Sequence, residues 1–113
     1  MQSAAVDAEE FEVRLSRVLA ALDESVTLLE RHDAEHWAEW LRADMRRIAS
    51  GDRGGLDHLL QAFGGMGSLN DLVLEPTSGA MSDADDRLDV LRNTMFIDAV
   101  MLRRALGGHH PAG

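Results

Sequence analysis

Apolar residues recur every three or four positions along most of the chain, the spacing that lines one face of an α-helix. Phe11, Leu15, Val18, Leu22, Val26 and Leu29 form the first such stripe and predict a helix over about residues 6–31. Asp7, Glu9 and Glu10 fall in its first turn, where the helix dipole favours negative charge. Arg31-His32-Asp33 interrupts the pattern, and Asp33 is the expected N-cap of a second helix over about 33–50. That helix carries Trp37, Trp40, Leu41, Met45 and Ile48, with Asp44 on the same face. Arg46 and Arg47 suit its C-terminus, and Gly51 suits a left-handed cap. So short a connection implies an antiparallel helical hairpin.

The middle of the chain is shorter-stepped. Gly51-Asp52-Arg53-Gly54-Gly55 is a turn by composition, and Leu56, Leu59, Leu60 and Phe63 predict a short helix after it. Gly64-Gly65-Met66-Gly67-Ser68 ends that helix. Ser68-Leu69-Asn70-Asp71 then resembles a capping box with Asp in place of Glu, so Leu69, Leu72, Val73 and Leu74 are expected to form a turn of helix in preference to a short strand. Glu75-Pro76-Thr77-Ser78-Gly79 reads as a linker, because proline lacks a donor and turns its predecessor away from helical angles.

Ser82 is the expected cap of a last helix over about 82–106, with Asp83, Asp85 and Asp86 in its first turn. One stripe on it is Ala84, Leu88, Leu91, Met95, Ala99, Leu102 and Leu106. A second, Val90, Ile97 and Met101, predicts cover on two sides. Arg103 and Arg104 suit the end of the helix, Gly107-Gly108 stops it, and residues 109–113 read as a tail. Period-two alternation is missing over any useful length. The expected fold is all-α: three long helices plus one or two short ones around a glycine-rich corner, in one domain over 1–113.

Composition narrows the chemistry. The 113 residues hold 20 acidic and 11 basic side chains, a net charge of −9 spread almost evenly over both halves. That excess of acid argues against nucleic acid as a partner, since phosphate neutralisation needs a basic face. Cysteine is absent, which removes disulfides, thiolate metal sites and cysteine nucleophiles. Every basic residue is arginine, so a P-loop or Schiff-base lysine is excluded. The first residues reach acid before any apolar stretch, and no run is long enough to span a membrane, so a cytoplasmic protein is expected.

Four features stand out as sites. Gly64, Gly65 and Gly67 before Ser68, Asn70 and Asp71 form either a phosphate or carboxylate cradle or a tight helical corner, with Asp71 opposing an anion. Asp44 and Asp98 both lie on or beside apolar stripes; each is either bound by an arginine or caps the glycine loop, or is one of a carboxylate pair for acid–base work. Trp37 and Trp40, one turn apart, read as one core residue and one at its edge, or as an anchor for a partner. His32 and His36 are four apart, but the break at Asp33 and the want of a third ligand favour solvated histidines over a metal site. No metal or other cofactor is indicated, and no catalytic set is recognisable.

The string Phe63-Gly64-Gly65-Met66-Gly67-Ser68-Leu69-Asn70-Asp71 resembles the signature of a family of small bacterial proteins of unknown function. The upstream Trp37, Trp40, Leu41, Ile48 and Gly51-Asp52 are similar to it in order and spacing. Some small bacterial families of this appearance are read as immunity proteins for secreted toxins, so the resemblance implies partner binding and carries no catalytic residue. The expected function is a non-catalytic acidic interaction protein, immunity- or antitoxin-like, that masks a basic surface on a partner such as a toxin. The alternative is a small-ligand or anion-binding protein, or an enzyme, built on the 64–71 loop. A homodimer formed through hairpin faces is the third.

Overall fold

The computed structural model describes residues 7–75 and 82–107. It is all-α, with no strand among the described residues. Helix α1 spans Ala8–Arg31, α2 Glu35–Ala49, α3 Gly54–Gln61 and α4 Asp83–Gly107, with one 3-10 turn at Leu69–Asp71. The expected linker around Pro76 and the tail at 109–113 lie outside the described residues.

Local chemistry sets each boundary. Asp7 caps α1, its carboxylate accepting from the Glu10 N–H at 2.8 Å. Asp33 does not cap α2, contrary to the sequence expectation; Ala34 holds that position without a side-chain bond. Asp33 is instead the left-handed residue that ends α1, at φ 60°. The Ala34 N–H reaches back to the Leu29 carbonyl and the Asp33 N–H to that of Glu30, the paired bonds of a Schellman motif. Asp tolerates this conformation better than most residues with a Cβ.

The same motif ends α2, where Gly51 takes φ 87° as expected and the Asp52 N–H bonds to the Arg47 carbonyl. Asp52 then accepts from the Gly54 N–H at 2.9 Å and starts α3. Gly55 lets α3 approach α2 closely: a Cβ there would lie 2.9 Å from side-chain atoms of Arg47 and Ile48. Ser82 caps α4 as expected, its hydroxyl accepting from the Asp85 N–H at 3.0 Å.

Helix α1 packs against both α2 and α4, and α3 bridges α2 and α4. The core is one cluster, with Val18, Leu22 and Leu29 of α1, Leu41 of α2, Leu59 of α3 and Leu88, Met95 and Leu102 of α4 fully buried. The second stripe of α4 departs from expectation. Val90 and Ile97 are about half exposed, because α1 and α3 occupy only the opposite side of the helix. The 3-10 turn at Leu69–Asp71 stands where a turn of helix was expected.

Candidate functional site

Asp44 leaves the Trp-bearing face of α2 and is fully buried. Its Oδ1 lies 2.5 Å from Nδ1 of His58 on α3, while Oδ2 has no hydrogen-bond partner among the described residues. The His58 ring stacks on Trp40, with centroids 4.2 Å apart, and the Trp40 indole N–H donates to the His58 carbonyl at 3.2 Å. Trp37 packs beside Trp40 at 5.2 Å, and His36 edges onto Trp37. Both tryptophans are half-buried against the core. Burial pushes the Asp44 carboxyl above the usual carboxylate range, and the His58 bond pulls the other way. The chemistry available is a carboxylate holding one imidazole in a fixed orientation.

Asp98 is held elsewhere, between α1 and α4, and is 1% exposed. Arg17 grips it with two nitrogens, at 2.6 and 2.9 Å, and Arg14 adds a third bond at 2.7 Å. Burial favours protonation, but these arginines outweigh it and hold the Asp98 carboxyl below its ordinary range. Asp44 and Asp98 share no partner. They therefore do not make an acid–base pair; Asp98 is bound by arginines, one of the expected arrangements, whereas among the described residues Asp44 neither binds an arginine nor caps the glycine loop.

The glycine loop has a third environment. Gly65 and Gly67 adopt φ of 79° and 75°, and the loop is closed by the Leu69 N–H on the Ala62 carbonyl at 2.8 Å. Asp71 accepts from the Gly67 N–H at 2.7 Å, so a carboxylate of the chain already fills that backbone donor. Ser68 is buried but forms no side-chain cap, whereas Gly64, Asn70 and Asp71 are exposed. Met66, at the loop tip, is 96% exposed.

Two residues of α4 hold down the segment from Leu69 to Glu75 that follows the glycines. Arg92, 9% exposed, donates from its guanidinium to the carbonyls of Leu69 and Leu72 at 2.9 and 3.0 Å. Asp85 accepts from the N–H groups of Leu74 and Glu75 at 2.6 and 3.1 Å. An open cleft of about 460 Å³ lies between loop and helix, bordered by Phe63, Asn70, Asp89, Val90, Asn93 and Phe96. Of the predicted site residues only Asn70 reaches it. Phe63 and Phe96 meet edge to face across it, with ring centroids 5.5 Å apart.

His58, Arg92 and Asp85 contact the candidate site residues or the segment beside them and were not among the residues expected from the sequence. Arg92 had a signal: it stands four after Leu88 and three before Met95, on the buried stripe, as Asp98 stands three after Met95. His58 had none, being flanked by Asp57 and Leu59 in a helix of eight residues. His32 is engaged at both nitrogens, by the Leu28 carbonyl and by Glu75, and these acceptors raise its pKa. No group of three or more metal-binding side chains occurs among the described residues. No helix among them is long and apolar enough to cross a membrane.

Residues 30–83 match the model of a family described as a domain of unknown function (DUF6966). The match takes in the Asp44–His58 pair, both tryptophans and the glycine loop, and stops where α4 begins. No curated protein and no solved structure matches the chain.

Proposed function

We propose that this protein is a non-catalytic, cytoplasmic interaction module that binds and blocks a partner protein, in the manner of an immunity protein or antitoxin. The observation that carries the reading is the loop edge of α4. There Met66, 96% exposed, stands at the tip of the glycine loop, and the Phe63–Phe96 pair borders an open cleft between that loop and the helix. Side chains presented from backbone that is already ordered spare the cost of ordering it on docking, which suits them as anchors. The partner has an apolar knob and a basic rim, complementary to a net charge of −9. Trp37 and Trp40 are not the anchor in this reading, since the core and His58 already cover much of both.

Anion binding on the 64–71 loop finds less support. The Gly67 N–H is spent on Asp71, Asp89 borders the cleft, and the Arg92 donors there are taken by two carbonyls and by Asp89.

The test is calorimetric titration of the chain against the product of the neighbouring gene. Binding is expected to weaken with salt and to fall at least about tenfold in a Met66→Ser, Phe96→Ser double variant of unchanged melting temperature. Binding indifferent to both changes would falsify the reading.

A further inference from the structure

The outer face of α4 carries a second repeat that the fold leaves unused. Asp86, Val90, Asn93, Ile97, Val100 and Arg104 are spaced alternately four and three residues apart, the heptad spacing of a helix-pairing seam. Val90 and Ile97 are 53% and 47% exposed, Asp86, Asn93 and Arg104 are exposed, and Val100 is half-buried. The seam is acidic at one end and basic at the other, and between them Val90, Ile97 and Val100 are apolar with polar Asn93 among them. Such a stripe is complementary to its own reverse.

We propose that α4 pairs with α4 of a second copy of this chain, antiparallel about a two-fold axis level with residue 95. In that register Asp86 faces Arg104 of the partner subunit, Val90 faces the partner's Val100, and Asn93 faces the partner's Ile97, each contact occurring twice. The two Asn93 side chains then lie one helical turn apart across the axis, where a lone polar residue fixes register. A parallel pairing sets Asp86 against Asp86 and Arg104 against Arg104. A uniformly basic partner is opposed at Arg104. The charge order of the seam therefore selects a second copy, run in reverse.

The pairing goes beyond the proposed function and stands without it; it covers Val90 and Asn93, two residues that border the cleft, so a second copy and a docked partner compete for that border. A two-fold axis perpendicular to the helix pair keeps the same edge of both helices on one side. The Phe96 edges, level with the axis, then adjoin as one surface.

Sedimentation equilibrium of the full chain at physiological salt, where the repulsion between two chains of charge −9 is largely screened, tests it. The mass is expected to rise with concentration from 12.4 kDa toward twice that value. Ile97→Glu, at an exposed position, should leave circular dichroism unchanged and abolish the rise. Asp86→Arg and Arg104→Asp should each weaken association about tenfold, while the two together restore it to within a few-fold of the original. A mass of 12.4 kDa at every concentration overturns the proposal, as does a dimer that survives Ile97→Glu. Failure of the double exchange to recover association overturns the antiparallel register and with it the argument for a second copy.

Discussion

Asp44 and Asp98 are chemically identical, equally buried and both set on apolar helix faces, yet their surroundings push them in opposite directions. Asp98 is met by two permanently charged arginines that supply three hydrogen bonds. Asp44 is met by one histidine that bonds a single oxygen, and the other oxygen has no partner among the described residues. Burying a carboxylate costs free energy in either place. What differs is whether the partner offsets that cost at every pH and at every lone pair. Asp98 ties α1 to α4 as a saturated ionic joint; Asp44 ties α2 to α3 as an incomplete one.

Breaking the saturated joint has the largest expected effect. Asp98→Asn removes the charge that both arginines face, while keeping the side-chain volume. A loss of about 2–4 kcal/mol is expected, toward the lower end because Arg17 can turn to water. Urea unfolding measures it directly, and a loss below about 1 kcal/mol shows that the joint is no stronger than a surface pair. Asp44→Ala comes next, at about 1–3 kcal/mol, since it leaves a cavity and strands the His58 N–H. An unchanged unfolding midpoint for this variant removes Asp44 from the core.

Much of this was legible in the sequence. The long helices, the Gly51 and Ser82 caps and the place of both aspartates on or beside apolar stripes follow from spacing, but whether such a residue is buried depends on what packs over its edge of the stripe. The partners were harder to see. Arg14 and Arg17 precede Asp98 by some eighty residues, and nothing in a one-dimensional pattern says which arginine on α1 meets which turn of α4. His58 lies on a helix too short for periodicity to assign its face. The outer stripe of α4 was visible as apolar, but whether a second layer covers it depends on how many helices the chain can supply, and α1 and α3 fill only one side. Asp33 was misread because Asp suits both an N-cap and a left-handed C-terminal position; backbone bonds from the preceding helix decide between them.

The smallest expected effects test the sign of the difference. Asp98 titrates below the ordinary value of 3.8, so its contribution is complete above that pH and is lost as pH falls through the lowered value. Asp44 titrates above 3.8, so the folded state there holds a proton the unfolded chain has released. Its contribution is greatest below 3.8 and declines as pH rises through the raised value. Asp44→Asn removes that decline and keeps an oxygen for the His58 N–H, at the cost of a buried amide with an open donor. At neutral pH its stability should lie within about 1 kcal/mol of the parent chain, far from the loss at Asp98. Relative to the parent, Asp44→Asn should gain as pH rises from acid toward neutral, whereas the penalty of Asp98→Asn should grow over the acid range and then level. Parallel curves for the two variants would mean that burial alone, and not the partner, governs how these carboxylates behave.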